Sequence, residues 1–513
     1  MATMERDDVG RKKMDLMQLA ALALGADAPP GVDITDICED SRCVAPGALF
    51  VAVPGTKLDG AQFVADALAR RAAAIVGRTS ISRALDPPVP FISVLDPRMA
   101  CARLAAVFFG LRQLQQAGKL RVVGVTGTNG KSTFAYMVRR IFQTACRVTA
   151  LFGTIEYDLV SRRLASDLTT PDAVTLTKHL VEAGRAGATH AVMEVSSHSL
   201  EQRRTDGIAF STAVFTNLTQ DHLDYHGTLD KYLAAKKRLF DALPADAVAV
   251  VNAHDPASTP IVSDCPARII RYGTNESSNV RGTILREDRT GGRFLIEFEG
   301  KRAEMQTPMV GRHNIFNALA AVATALADGI DLSTIQRALA NCDHVPGRLQ
   351  RVATGDLGFD IFVDYAHTDD ALRNVLSAVR PLTSGRLWCV FGCGGDRDRT
   401  KRPKMARAVA EAADSFVITS DNPRTEDPIA IIADIEGGLT GEQVSGRKHV
   451  TIPDRAKAIH HAVERLAPGD ALILAGKGHE NYQIIGTTKI HFDDVEIAME
   501  AVCRRKTETA CVP

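Results

Sequence analysis

Net charge is what this sequence most plainly lacks. Lys plus Arg number 61 and Asp plus Glu number 61 in 513 residues, so bulk electrostatics gives no reason to expect a nucleic acid or membrane-surface partner. Long apolar runs are missing too. No stretch approaches the ~20 consecutive apolar residues of a membrane-spanning helix. The ten cysteines are scattered, mostly in apolar settings such as Leu387-Trp388-Cys389-Val390. A disulfide framework is unusual in a chain this large, so reduced thiols in a cytosol are the better reading. Cys389 and Cys393 have no second pair or neighbouring His cluster to complete a zinc set, which leaves them as core residues. Internal repeats and low-complexity tracts are absent.

Of the residues present, 45% are hydrophobic and 24% charged, the balance of a globular protein. The length exceeds what one core supports and predicts two to four domains. Arg11-Lys12-Lys13 before the apolar run Leu16 to Leu24 imitates a short signal peptide. Asp15 and Gln18 interrupt that pattern. The expectation is a loose tail over residues 1–13, a first amphipathic helix from Leu16 to Leu24, and a cytoplasmic location.

Three α/β segments emerge. Residues 1–118 mix short strands (Ala48 to Val53) with Ala-rich helix (Phe63 to Ala74). Residues 119–346 repeat strand, turn and helix, with strands expected at Arg121 to Val125, Ala191 to Val195, Ala213 to Thr216 and Ala247 to Val251. Continuous Val/Ala/Ile runs bounded by turn residues suit a parallel sheet covered on both faces. Val280 to Glu299 alternates more strictly and predicts a small antiparallel addition. Residues 347–513 form a second doubly wound unit, with strands at Ile361 to Val363, Leu387 to Phe391, Phe416 to Ile418 and Ala471 to Leu474.

The strand Val122 to Val125 runs into Thr126-Gly127-Thr128-Asn129-Gly130-Lys131-Ser132-Thr133. Glycines allow consecutive N–H groups to turn toward an anion, and the following helix offers its positive end to phosphates. Lys131 supplies a mobile charge for β- and γ-phosphates, and Ser132 a hydroxyl for Mg²⁺. No Gly stands six residues before Lys131, so the spacing departs from the standard phosphate-loop pattern. An ordinary Gly-rich turn does not explain Gly-Lys-Ser directly after a buried strand.

Further motifs follow in order: Glu194-Val195-Ser196-Ser197-His198, Thr216-Asn217-Leu218-Thr219-Gln220-Asp221-His222-Leu223-Asp224, Tyr232-Leu233-Ala234-Ala235-Lys236, Gly311-Arg312-His313-Asn314-Ile315-Phe316-Asn317, Pro346-Gly347-Arg348 and Asp364-Tyr365-Ala366-His367. Together with the phosphate loop this series resembles the Mur ligase family, which includes the folylpolyglutamate synthetases. Asp40-Ser41-Arg42, Gly394-Gly395-Asp396-Arg397-Asp398, Asp421-Asn422-Pro423-Arg424 and Gly476-Lys477-Gly478-His479-Glu480 resemble the type that adds the third residue of the peptidoglycan stem peptide. The resemblance covers residues 30–500. It implies a small mixed α/β N-terminal domain that binds uridine nucleotide, a central P-loop-type doubly wound ATPase domain and a C-terminal Rossmann-like domain.

The implied chemistry is carboxylate activation by ATP, followed by attack of an amine on the acyl phosphate. Phosphoryl transfer needs charge neutralisation more than covalent help. By resemblance, Lys131, Glu194, His222 and Lys236 are catalytic. Mg²⁺ falls to Ser132, Glu194, His222 and Lys236, the lysine first converted to a carbamate. On spacing alone, Lys236 reads as one of a solvated basic cluster with Lys237 and Arg238. ATP falls to Gly127, Thr128, Asn129, Gly130, Lys131, Ser132, Thr133, Asn314, Arg348 and Asp364, with the C-terminal domain closing over it. Asn314 and Asn317 share a helix face.

The implied partners are the UDP-N-acetylmuramoyl dipeptide and meso-diaminopimelate, and the expected state is a monomer. The uridine nucleotide falls to Ser41 with Thr56, Lys57 and Leu58. The muramyl dipeptide falls to Thr169, Thr170, Ser196, Gln202 and Arg204. The amino acid falls to Arg397, Asp421, Asn422, Pro423, Arg424, Gly476 and Glu480. The guanidinium of Arg424 can grip a distal carboxylate bidentately, and Glu480 can pair with the distal amine. A lysine-adding ligase, a folylpolyglutamate synthetase and a catalytically silent nucleotide-binding regulator stay open as alternatives. Asp369 stands where relatives have Pro, in an expected turn, and Ala61 where a His is common.

Overall fold

The computed structural model describes residues 13–55, 58–80, 87–342, 344–439 and 448–510. Its chain divides into two compact units. One runs to Arg281 and includes Leu319–Ile335; the other comprises Gly282–Ala318 and the residues from Gln336 onward. Among the described residues, no helix is long and apolar enough to cross a membrane.

In the first unit, helix Leu16–Leu24 lies where the sequence places it. Asp15 caps it by accepting from the N–H groups of Met17 and Gln18, and Gly25 ends it at φ 62°. The helix packs on Pro97–Phe109. Strands Asp36–Cys38, Ala48–Val51, Ala74–Gly77 and Phe91–Ser93 pair in parallel in that order. The expected helix from Phe63 to Ala74 is shorter. A 3-10 turn covers Gly60–Phe63, the helix spans Val64–Ala69, and Ala74 already belongs to a strand. Arg71 at φ 63° breaks the helix, and the buried run that follows fits between two parallel neighbours better than on a one-sided helix.

The larger sheet of this unit orders its strands Arg163–Ala165, Glu156–Asp158, Thr149–Phe152, His190–Glu194, Arg121–Thr126, Thr212–Phe215, Val248–Asn252 and Arg268–Gly273. All but the first two pairings are parallel. The four expected strands are present within one residue at most ends. Arg121–Thr126 lies between His190–Glu194 and Thr212–Phe215, with Val125 opposite Glu194 and Thr126 opposite Phe215. The carboxyl ends of these three strands, where the order reverses, are the usual ligand position of a doubly wound sheet.

In the second unit, Gly291–Phe298 pairs antiparallel with Lys301–Thr307, so the antiparallel addition expected over Val280 to Glu299 extends beyond that span to Thr307. A six-stranded sheet orders Gln350–Val352, Asp360–Asp364, Ala471–Ala475, Leu387–Phe391, Ser415–Ile418 and Lys448–Thr451, parallel after its first pair. Separate apolar clusters form around Phe391 and around Trp388, so both faces are covered. Cys389 and Cys393 sit in the first cluster, and burial pushes both thiols up to about 12. Asp369 opens helix Asp369–Val379 rather than a turn, under the cap of Thr368. Proline is favoured at that first helical position, and an acidic residue suits its dipole. Arg455 and Asp494 form a fully buried bidentate pair at 2.8 and 2.6 Å, tying helix Arg455–Glu464 to the start of Asp494–Ala510.

Candidate active site

The loop 127–130 closes on the segment 216–219. Gly127 has φ 147°, and a Cβ there would lie 1.9 Å from Thr216 Oγ1, so only glycine fits. Asn217 braces Asn129 from both sides, accepting from its N–H at 3.0 Å and donating Nδ2–H to its carbonyl at 3.1 Å. Thr128 N–H donates to Asn217 O (2.8 Å), and Thr216 Oγ1 donates to Asn129 O (2.7 Å). Helix Lys131–Thr144 starts at Gly130 without a side-chain cap, and its positive end points from the loop as at an anion site. Lys131 Nζ donates to the carbonyls of Gly127 (3.0 Å) and Thr128 (2.8 Å).

Lys236 overturns the solvated-cluster alternative. Helix Leu229–Asp241 turns Tyr232, Ala235, Lys236, Leu239 and Phe240 inward, and Lys236 is 1% exposed. Its Nζ donates to Gly127 O at 3.0 Å and lies 4.2 Å from the Tyr232 ring centre. Burial, and then the charge of Lys131, hold the amine well below the ordinary lysine range. His222 takes a left-handed backbone at φ 54°, and burial lowers its pKa. It packs edge-on against His198, 4.8 Å away, whose pKa burial and its imidazole neighbours bring down to about 4. His226 accompanies them, 2.9 Å from Ser197 Oγ. Burial lowers the His226 pKa as well.

Glu194 ends its strand at 2% exposure. Thr154 donates to its carboxylate from N–H (3.0 Å) and hydroxyl (3.1 Å), and a Cβ on Gly153 would reach it at 2.4 Å. Thr154 also meets Thr169 at 3.0 Å between hydroxyls. Thr170 donates its hydroxyl to Glu194 O (2.8 Å) and accepts from Ser196 N–H (3.1 Å). Arg204 donates to Thr170 O (2.8 Å) and to Gln202 Oε1 (2.6 Å), and Gln202 donates to Tyr225 OH (3.0 Å). Ser196 caps the helix Ser197–Glu201. One connected network thus holds Thr169, Thr170, Glu194, Ser196, Gln202 and Arg204.

In the second unit, the turn Asp421–Arg424 faces the turn Gly476–Glu480. Asn422 donates to Glu480 Oε2 at 2.8 Å. Lys477, 0% exposed, lies 3.7 Å from Asp421 Oδ1, 3.7 Å from Glu480 Oε2 and 3.4 Å from Asn422 Oδ1. Gly476 takes φ 112°, with Asp421 Oδ2 2.8 Å from where its Cβ would stand. Arg424, at φ 51°, donates to Gly395 O at 2.8 Å. A Cβ on Gly347 would lie 2.1 Å from His479 N, so only glycine serves there, and this close approach sets Arg348 beside the turn. The Arg348 guanidinium lies 5.0 Å from the Tyr365 ring centre. Asp364 accepts from the N–H groups of Leu349 (2.7 Å) and Ala366 (2.9 Å), and burial raises its pKa.

Residues 33–109 match the Mur ligase family, catalytic domain; residues 125–325 the Mur ligase middle domain; residues 347–478 the Mur ligase, glutamate ligase domain. The UDP-N-acetylmuramoyl-L-alanyl-D-glutamate–2,6-diaminopimelate ligase of Solibacter usitatus is 44% identical over 475 residues, covering 92% of this chain and 94% of its own. The chain belongs to the Mur ligase family. The Gloeobacter violaceus protein of the same name is 43% identical over 95% of this chain and 98% of its own. A solved ligase structure of that name superposes with a TM-score of 0.69 at 34% identity, over 96% of this chain and 99% of that one.

In this Mur ligase the remaining residues singled out from sequence fall as follows. Ser41 is buried in the 3-10 turn Ser41–Cys43, and Leu58 is exposed. Thr56 and Lys57 lie outside the described residues. Asn314 donates to Val310 O (2.7 Å) and accepts from Asn317 Nδ2 (3.1 Å), so the two share a face as their spacing requires. Pro423 is buried, and Arg397 stands exposed beyond Gly395. Among the described residues, no group of three His, Cys, Asp or Glu side chains forms a metal site. Sequence reasoning missed Asn217 as the brace of this Mur ligase's loop, and it missed Lys477 between two carboxylates. Both stand inside motifs already singled out. The signal was a polar residue in a short loop flanked by functional side chains.

Proposed function

We propose that this Mur ligase adds meso-diaminopimelate to the D-glutamate carboxylate of UDP-N-acetylmuramoyl-L-alanyl-D-glutamate, with ATP converted to ADP and phosphate. The observation that carries the reading is the Asp421–Arg424 turn held against Glu480 and Gly476, in a chain that also carries a complete phosphate-binding loop in its other unit. Asp421 and Glu480 offer carboxylates to an ammonium group, and Arg424 offers a guanidinium to a distal carboxylate. Lysine lacks that carboxylate, so Arg424 favours the diamino diacid. Arg397, Asn422, Pro423 and Gly476 complete the amino-acid assignments.

The substrate carboxylate oxygen attacks the γ-phosphorus and ADP leaves. The amine then attacks the acyl carbon, loses a proton, and phosphate leaves. Gly127 to Thr133 cradle the phosphates through N–H groups and the helix end. Lys131 turns from its carbonyls onto the γ-phosphate. Asn314, Arg348 and Asp364 are the nucleotide contacts assigned to the second unit. Ser41, with Thr56, Lys57 and Leu58, takes the uridine nucleotide; Thr169, Thr170, Ser196, Gln202 and Arg204 take the dipeptide. The domain boundaries proposed with this reading lie near residues 118 and 346.

The donor set suits Mg²⁺. Ser132 and Glu194 would supply hard oxygen ligands, and burial, which lowers the His222 pKa, favours the neutral ring whose nitrogen can ligate. An ammonium on Lys236 repels a cation, but a neutral buried amine adds to CO₂, forming an N–C bond and releasing one proton. The resulting carbamate fits. Bound there, the ion neutralises charge on the transferring phosphoryl group.

Phosphate release tests the function. It should require ATP, the UDP-muramyl dipeptide and meso-diaminopimelate together, and L-lysine should support it poorly. Equal release with lysine would assign the alternative substrate. In Arg424→Ala, KM for diaminopimelate should rise at least about tenfold, the loss of one charge-assisted pair, with KM for ATP little changed.

A further inference from the structure

Two carboxylates and one ammonium meet in the interior of the second unit. Lys477 is 0% exposed and equidistant, at 3.7 Å, from Asp421 Oδ1 and Glu480 Oε2. Its stem runs past Tyr482 and Phe492, whose ring centres are 5.6 and 6.0 Å from Nζ. Asp421 Oδ1 is buried and receives no hydrogen bond among the described residues. Asn422 ties the two turns together, donating to Glu480 and accepting from Ile484 N–H (2.9 Å). A buried charge is costly unless paired. Lys477 is the cation set between the two acids, with Arg424 acting on Glu480 and Arg455 on Asp421 from further off, and the unfilled acceptor is on Asp421.

We infer that Lys477 is a positioning residue that holds Asp421 and Glu480 as a matched pair of carboxylates, leaving a place for one ammonium group of the incoming amino acid. This rests on the proposed amino-acid site. Lys477 itself does not touch substrate; it fixes the spacing of the two acids and favours the ionised form of Glu480. Without it the acids repel, and Glu480 takes up a proton. The groups facing Glu480 are Asp421, Lys477, Arg424 and Tyr365. Burial and Asp421 raise the Glu480 pKa, whereas Lys477, Asn422 and Arg424 lower it. Removing Lys477 therefore raises it further, and ammonium binding then needs a higher pH.

The test is steady-state kinetics of the full chain with all three substrates. Lys477→Met should raise KM for meso-diaminopimelate about tenfold or more and leave KM for ATP and the UDP-dipeptide within about twofold. The acid limb of kcat/KM for diaminopimelate should move up by about one pH unit, the effect of losing an opposite charge at this range. Lys477→Arg, which keeps the charge, should leave the acid limb in place. Should Lys477→Met fail to fold, Lys477→Gln takes its place under the same criteria. Equal rises in all three KM values with an unmoved acid limb would overturn the inference, as would an arginine variant that shifts the limb as far as methionine. Glu480→Gln separates the two levels. If it raises KM for diaminopimelate while Lys477→Met does not, only the lysine's role fails. If it changes nothing, the amino-acid site itself is misplaced and the inference falls with it.

Discussion

Lys131 and Lys236 donate from Nζ to one and the same carbonyl oxygen, that of Gly127, over 3.0 Å each. Lys131 also donates to Thr128 O, whereas burial and then the charge of Lys131 hold the Lys236 amine well below the ordinary lysine range. Lys131 is the proposed mobile cation for phosphates. Gly127 thus brings two lysines of one motif series to a single carbonyl.

The first prediction concerns that neutral amine. Intact-protein mass of enzyme equilibrated with bicarbonate should show one added CO₂, absent in Lys236→Gln. The variant should lose at least about a hundredfold in turnover, the scale of losing one charge-stabilising group at a phosphoryl-transfer site. Active, equilibrated enzyme carrying a bare amine would rule the carbamate out.

Asn217 makes two hydrogen bonds to Asn129 and touches no predicted substrate group. Two part-buried bonds at about 1 kcal/mol each give about 2 kcal/mol, or roughly 30-fold in ATP affinity. Asn217→Ala should show that loss by calorimetry, with diaminopimelate KM unchanged. Unaltered ATP affinity would mean the loop holds its shape without the brace.

Glu39 adds a pH dependence to stability. Burial and the adjacent Asp172 raise its carboxyl from 4.5 to about 8. A pKa raised on folding gives stabilisation that is fully present below the unfolded value and lost as pH rises through the folded one. Relative to Glu39→Gln, the wild-type protein should therefore lose stability from about pH 4.5 to about pH 8. Denaturation midpoints at several pH values read this directly, and parallel curves for the two proteins would refute it.

Arg455→Ala leaves Asp494 buried without its partner, a change that costs about 3–5 kcal/mol. Removing both charges, as Arg455→Met with Asp494→Leu, should recover most of that loss. Denaturant unfolding checks both.

Strands and motifs were legible because buried parallel strands read as continuous apolar runs, and glycines mark the places where backbone approaches backbone. The cap at Asp15 was legible in part, as an acidic residue just before an apolar run. Lys236 was less so. A lysine beside Lys237 and Arg238 looks solvated, although Tyr232, Leu239 and Phe240 at helical spacing place it on the inward face. Lys477 was hidden for another reason. A lysine in a glycine-rich turn reads as exposed, and only the close approach of Gly347 and Gly478 to neighbouring backbone and to Tyr365 closes that turn off. The helix drawn through Ala74 failed because alanine suits both a helix and a tight parallel strand, and the break came from the backbone of Arg71.

The central claim is the identity of the amino acid, and a competition decides it. The protein is supplied with ATP, magnesium, the UDP-muramyl dipeptide and equal amounts of meso-diaminopimelate and L-lysine, and the nucleotide product is weighed by mass spectrometry. The account predicts a product carrying diaminopimelate almost alone. A product carrying mainly lysine, or an equal mixture, would contradict it.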